Sequence, residues 1–360
     1  MTTHPLTHPQ SKTGLQSLWV WIAAVAVVWI FQFFFVGYVD PYYFSIVMYS
    51  GINATLAVSL NLVNGFTGQF SMGHAGFMSV GGYVSALTTS LVVAKYPGIM
   101  GVDAGGPGIE GAILLVGALF LGGLVASLAG FLVGLPSLRL KGDYLAIVTL
   151  GFGEIIRVIV LNLNVVGGAR GMANIPALTN FGWVFSVCIF TVFTIWRIVN
   201  SAHGRRFLSV REDEIAAEAM GVNTTAVKVR AFVMGAFFAG VAGGLFAHYL
   251  RYLNPQTFDF NRSFEIVIMV VLGGMGSITG SVLAALLLTV LKEALRPLQE
   301  ITRLDFRMVI YSLMLIILML NKPNGLMGTR EISDVYQSFR EKLRVRFGAN
   351  QGSDQKGAKK

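Results

Sequence analysis

Charge is scarce in this chain. Only 12% of its 360 residues are Asp, Glu, Lys or Arg, while 54% are hydrophobic. An ordinary soluble domain is about 25% charged. Too little polar surface remains to clothe a globule of this length in water, and the mean hydropathy of +0.66 points to lipid as the solvent. Cysteine is scarcer still. The single one, Cys188, lies inside an apolar run, which excludes an internal disulfide and a cysteine-rich metal site. No second histidine or cysteine stands at ligand spacing from His74, so no metal is expected. Also missing is a G-x-x-x-x-G-K-[ST] phosphate loop; any ATP hydrolysis is expected on another chain. With no clustered nucleophile, acid–base pair or ligand set, a membrane enzyme is disfavoured.

What the chain does have is apolar runs. They cover residues 18–36, 44–64, 69–94, 109–135, 144–163, 183–199, 229–250, 264–295 and 306–320. About 20 helical residues cross the roughly 30 Å hydrocarbon core. Run 18–36 is too long for a signal-peptide core and no small-residue cleavage site follows it; it reads as a retained first span. Run 264–295 is too long for one simple span, and Gly273-Gly274-Met275-Gly276-Ser277-Ile278-Thr279-Gly280 should break it into a short helix and a full one. Gly65-Phe66-Thr67-Gly68 should do the same between the second and third runs. The expected fold is an all-α membrane protein, a polytopic bundle of about ten transmembrane or partly broken helices.

The net charge is +9. Its basic residues flank apolar spans and form no single stripe, which argues against nucleic acid. With about ten segments both termini share a side, and the basic residues then divide about two to one in favour of that side. The rule places both termini in the cytoplasm, with residues 1–17 as an N-terminal segment, 18–321 as the membrane domain, 200–228 as a cytoplasmic loop and 322–360 as a basic tail. In the tail, Ile332, Val335, Tyr336, Phe339 and Leu343 recur at helical spacing among Arg340, Lys342, Arg344 and Arg346. That pattern suits an amphipathic helix on the lipid surface.

Within the loop, Ser209 and Glu212 have capping-box spacing and Gly221 is a natural stop. One short helix is expected between them, with Ile215, Ala219 and Met220 on one face and Arg211, Asp213, Glu214 and Glu218 supplying charge. A second helix should start at Asn223 or Thr224. A solvated loop helix and a helix that docks on a cytosolic motor both fit this pattern; small Ala216, Ala217 and Ala219 would permit close approach.

Polar residues inside the spans form a short roster. Asn53, Asn61, Asn64 and Gln69 lie within or beside the second and third runs, where amides bridge helices or satisfy backbone at a break. His74 opens the third helix, either packed against a carbonyl freed by the break or donating into a pore or interface. Glu154 and Arg157 are spaced i, i+3 and suit an intrahelical ion pair or a gate. Gly65, Gly68, Gly73 and Gly76 allow close helix approach and unwound backbone, a feature transporters place at the translocation path. Nearby Phe66, Phe70, Met72, Phe77, Met78 and Val80 would suit an apolar side chain.

Four blocks resemble one family. Asn61–Tyr83, which includes Asn61, Gly65, Gly68, Gln69, Ser71, His74, Gly76 and Phe77, resembles the opening signature of the LivH/LivM permeases of branched-chain amino acid ABC transporters. Leu138–Arg157 resembles the LivM branch. The stretch with Arg211, Glu212, Asp213, Glu214, Ala217, Glu218 and Gly221 resembles that family's ATPase-coupling segment, and the stretch with Gly273, Gly274, Gly276, Ser277 and Gly280 its late glycine motif. The departure is Val165–Met172, where the family pattern is a threonine-glycine-glycine-proline-asparagine-glycine type of stretch. The resemblance implies a permease subunit in a bacterial inner membrane, with no cofactor of its own. Its partners would be a LivH-type sibling, two cytosolic ATPases that use ATP, a periplasmic binding protein and membrane lipid. A same-family permease for urea, short amides or aromatic amino acids remains open, as does an ion-gradient transporter. The second is disfavoured by the few intramembrane acids.

Overall fold

In a computed structural model, the structure describes residues 14–35, 38–96, 108–137, 140 and 142–295, with 312–313, 316–317, 320–322, 325–328 and 331. Most of run 306–320, the tail helix after residue 331 and the first 13 residues lie outside the described residues.

The helices are α1 (Gly14–Phe35), α2 (Pro41–Asn64), α3 (His74–Lys95), α4 (Ile109–Ser137), α5 (Asp143–Asn162), α6 (Phe181–Val199), α7 (Ala202–Glu212), α8 (Glu214–Ala219), α9 (Thr224–Leu250), α10 (Phe260–Gly273) and α11 (Ile278–Ala294). No strand occurs among the described residues; one antiparallel bridge joins Met172 to Leu253. Six described helices, α2 to α6 and α9, are long and apolar enough to cross a bilayer. Helices α10 and α11 are the two halves of run 264–295, parted at Gly274 as the glycines imply. The fold is the all-α polytopic bundle expected from the sequence.

Helices α2 and α9 form the buried centre, and α3 and α4 pack against α9. At the crossing of α3, α4 and α9 the contacts are backbone to backbone: a Cβ on Gly81 would run into Gly240, and one on Gly122 would meet the Gly81 carbonyl at 2.7 Å. Small residues at such crossings let helices approach where no hydrophobic drive separates protein from lipid. The outer faces remain apolar. Ile113, Phe120, Leu124, Leu128 and Leu132 make an exposed stripe along α4, and Ile147, Ile155 and Ile159 one along α5. Exposed apolar area of this extent needs lipid or a partner to cover it.

Successive long helices run in opposite directions. The end of α2 meets α7 through Gly65 and Arg211, and the start of α3 meets the start of α5 through Met72 and Thr149. The α10–α11 break meets the end of α2 through Asn61. Both helix breaks therefore lie at the end of the bundle that carries α7 and α8.

Candidate functional site

The first break spans residues 65–73. Helix α2 ends at Asn64, and the freed backbone needs partners, because an unpaired peptide group in a membrane interior is costly. Asn64 provides two: its amide accepts from Ser71 N–H at 3.1 Å and donates to Ser71 C=O at 3.2 Å. Thr67 Oγ1 donates to Val63 C=O at 2.6 Å, and Met72 N–H donates to Thr149 Oγ1 of α5 at 3.0 Å. Gly68 turns with φ +70°. Two side chains stay unmatched: both amide atoms of Gln69 and the hydroxyl of Ser71 are buried with no hydrogen-bond partner among the described residues.

The second break spans residues 274–277. Asn61, fully buried, clamps it by donating to Ser277 C=O at 2.8 Å and accepting from Gly276 N–H at 2.9 Å. Ser277 caps α11 through Gly280 N–H at 3.0 Å. The carbonyls of Leu272 and Gly273 accept from Leu326 and Met327 N–H at 2.7 and 3.2 Å. The Glu331 carboxylate accepts from Ile278 and Thr279 N–H at 2.7 and 3.2 Å. The two breaks touch: a Cβ on Gly65 would strike Gly276 N and the Asn61 side chain, so only glycine fits there.

Past the breaks, His74, Gly76 and Phe77 open α3. Gly76 faces Gly153 of α5, and Phe77 packs edge-on to Phe232 at 5.5 Å. His74 differs from the expected carbonyl contact: α2 brings Ser59 alongside, and its hydroxyl meets His74 Nε2 at 2.7 Å. Glu154 and Arg157 meet at 2.7 Å, with side chains 35% and 24% exposed. Helix α5 is continuous there, so the pair braces no break.

The loop also differs. The single helix from Ser209 to Gly221 is two, α7 and α8, parted at Asp213. Ser209 sits inside α7 and donates to Arg206 C=O, so it caps nothing. The cap is Asp213, whose carboxylate accepts from Ile215 and Ala216 N–H at 2.9 and 3.0 Å. Asp213 has extended backbone, which frees its side chain for that role. Gly221 at φ +82° closes α8, and Asn223 caps α9 at Thr224 as expected. The Lys228–Glu214 bridge at 2.6 Å and the Thr224–Glu218 bond tie α8 to α9. Ala217 is buried, while Ile215 and Met220 are 74% and 85% exposed. Arg211 does not join that exposed face: its Nη1 donates to Gly65 C=O at 2.9 Å, and Glu212 pairs with it loosely at 3.5 Å.

A network at the opposite end escaped the sequence reading. Glu265 bridges Arg262 at 2.9 Å and Lys292, Arg262 donates to Asn53 Oδ1 at 2.7 Å, and Asn53 donates to Thr289 at 2.9 Å. Its signal was present: Glu265 and Lys292 stand near the two ends of run 264–295, and folding that run at its glycines brings the ends together. Among the described residues no three His, Cys, Asp or Glu side chains gather in a metal-binding group.

A family model described as "Branched-chain amino acid transport system / permease component" matches residues 42–319. The "High-affinity branched-chain amino acid transport system permease protein LivM" of Salmonella typhimurium is 35% identical over 307 residues, 76% of this chain and 67% of that protein. Its Escherichia coli counterpart is 33% identical over 332 residues, 82% and 70% of the two chains. The Escherichia coli permease protein LivH is 28% identical over 319 residues, 81% of this chain and 98% of that one. No solved structure matches. The family match takes in both glycine breaks, the α7–α8 loop and all six long spans, and the chain belongs to the branched-chain amino acid transport permease family of ABC importers.

Proposed function

We propose that this chain carries branched-chain amino acids across a bacterial inner membrane as one permease subunit of an importer driven by separate ATPases. The observation that carries the reading is the small helix α8, fixed to α9 by two side-chain bonds yet presenting Ile215 and Met220 to the outside. Exposed apolar side chains on a held helix beyond the spans suit docking on a soluble partner. The loop then faces the cytoplasm, as do both termini, and residues 322–360 form a basic tail on that side. A second permease of the same family, two ATPases and a periplasmic binding protein complete the assembly. The chain holds no cofactor and no ATPase site; ATP is used by its partners.

The path runs beside the breaks. Among the described residues, Gln69 and Ser71 carry the buried polar groups there without a hydrogen-bond partner. They offer an amide and a hydroxyl to a passing zwitterion, while Phe66, Phe77 and Met78 supply apolar surroundings. Such a site holds its solute weakly, so the binding protein sets specificity. Net movement requires the solute and the ATPases to favour different states of the permease. The test is uptake of labelled leucine into proteoliposomes holding the permease pair, ATPases and binding protein. Uptake is expected only with ATP and binding protein together. Uptake driven by an ion gradient without ATP would sink the importer reading; uptake of urea, amides or aromatic amino acids in place of leucine would reassign the solute.

A further inference from the structure

We propose that Arg211 is the joint through which the α7–α8 loop moves both helix breaks together. The proposal rests on the reading of α8 as the docking helix.

Four observations converge on this side chain. Arg211 lies in the last turn of α7, two residues before the Asp213 hinge that starts α8. Its Nη1 donates to Gly65 C=O at 2.9 Å, placing a cation on the carbonyl end of α2, where the helix dipole favours it. Its stem fills the space beside Gly68: a Cβ there would lie 3.1 Å from Arg211 Cγ. The same guanidinium stands against the second break, since a Cβ on Gly276 would lie 2.7 Å from Arg211 Nη1. One side chain of the loop thus touches residues 65 and 68 of the first break and residue 276 of the second.

Apolar packing reinforces the same path. Phe207 and Val210 of α7 and Ala217 of α8 share one buried cluster with Phe66 of the first break and Ile278, the first residue of α11. A push on α8 therefore loads both breaks, and Arg211 adds a directional bond to the load through Gly65 C=O. Three acidic residues at and within α8 are engaged elsewhere: Glu214 and Glu218 bind Lys228 and Thr224 of α9, and Asp213 caps its own helix. Arginine suits the role better than lysine. Its planar, forked head lets one nitrogen hold Gly65 C=O while the other end reaches Glu212, and a single ammonium cannot span both.

The experiment uses the full transporter in proteoliposomes with binding protein, comparing wild type, Arg211→Met, Arg211→Lys and Ile215→Asp. It reads retention of the ATPases and ATP hydrolysed per leucine moved. Arg211→Met should retain the ATPases, yet its ATP-to-leucine ratio should rise by about tenfold or more, the loss expected for one charge-assisted bond. Arg211→Lys should fall between, about threefold above wild type, as a charge without the fork. In wild type, a non-hydrolysable ATP analogue should change backbone hydrogen exchange at 65–69 and at 276–279 together. An unchanged ratio in Arg211→Met with ATPases retained overturns the joint. So does exchange that responds at one break alone, which decides the matter even if Arg211→Met fails to assemble. Failure of the underlying reading shows separately: Ile215→Asp would then keep its ATPases and a wild-type ratio.

Discussion

The break after α2 and the break after α10 both turn the chain at glycine at the same end of the bundle, but they are closed from different places. Around residues 65–73 the bonds are mostly local: Asn64 to Ser71, seven residues on, and Thr67 to Val63, four back. Around residues 274–277 they come from afar. Asn61 is 215 residues from Gly276, and Glu331 is 53 from Ile278. Two of the remaining donors are main-chain groups of Leu326 and Met327. The first break can therefore form with its own hairpin of chain, since short loops close at little entropic cost. The second is closed by contacts from α2, from Leu326 and Met327 and from Glu331, so it needs all of them in place. It is the break that reports assembly of the whole bundle.

Removing each asparagine tests that difference, and the largest effect should fall on the remote break. Asn61→Ala leaves Gly276 N–H without its acceptor in a fully buried setting and takes one donor from Ser277 C=O, which keeps Ser281 N–H and Ser281 Oγ. The orphaned N–H costs about 1–3 kcal/mol and the lost second bond about 1 kcal/mol, so the loss is about 2–4 kcal/mol. Asn64→Ala removes longer bonds, 3.1 and 3.2 Å, within a segment that can readjust locally. A loss of about 1–3 kcal/mol is expected there. Denaturant midpoints of the detergent-solubilised protein would rank the two. A loss for Asn64→Ala equal to or above that for Asn61→Ala would break the comparison.

A smaller effect should follow from Glu331→Gln. The carboxylate meets two N–H groups at the start of α11, and Thr279 Oγ1 also donates to it at 2.7 Å. A neutral amide keeps one acceptor but loses the charge that favours a helix N-terminus, a cost of about 1 kcal/mol. Hydrogen exchange of the Ile278 and Thr279 amides should quicken by about fivefold. Unaltered exchange would show that the C-terminal segment does not hold the second break shut.

The same contrast explains what could be read from sequence. The spans were legible because about 20 apolar residues have one sensible use. The fold of run 264–295 at its glycines was legible because glycine weakens a helix wherever it clusters. Closure of the second break was not legible, because Leu326 and Met327 act through main-chain N–H groups that every residue but proline carries. The capping box at Ser209 misled for a related reason. Its spacing also occurs inside a continuous helix, and Asp213, with two N–H groups in reach, outcompetes it. Arg211 read as a rim charge because periodicity places a residue on a face and is silent about a long side chain that folds back onto Gly65.

The smallest effect on fold stability is expected at Glu154 and Arg157, the one polar pair among the candidate residues that closes no break. Their contact is 2.7 Å and i, i+3 along an unbroken α5. No backbone group depends on either, so the helix survives their loss; a half-exposed pair of this spacing contributes about 0.5–1 kcal/mol. Their position is what makes them informative. Glu154 lies about 17 Å along α5 from Asp143, near the middle of a core about 30 Å thick. Charges at that depth are costly against hydrocarbon and so face protein or water. In the proposed assembly, the exposed side of the pair is where the second permease or the path would meet α5. Glu154→Gln leaves Arg157 as a lone cation on that surface; the Glu154→Gln, Arg157→Met double variant leaves no charge. In the isolated chain the two single losses should be small. In the assembled transporter Glu154→Gln should cut leucine uptake, and the double variant should restore part of it. A double-mutant cycle in both states measures this. Coupling that grows on assembly would place the pair at the subunit boundary, whereas losses that simply add in both states would show two independent charges.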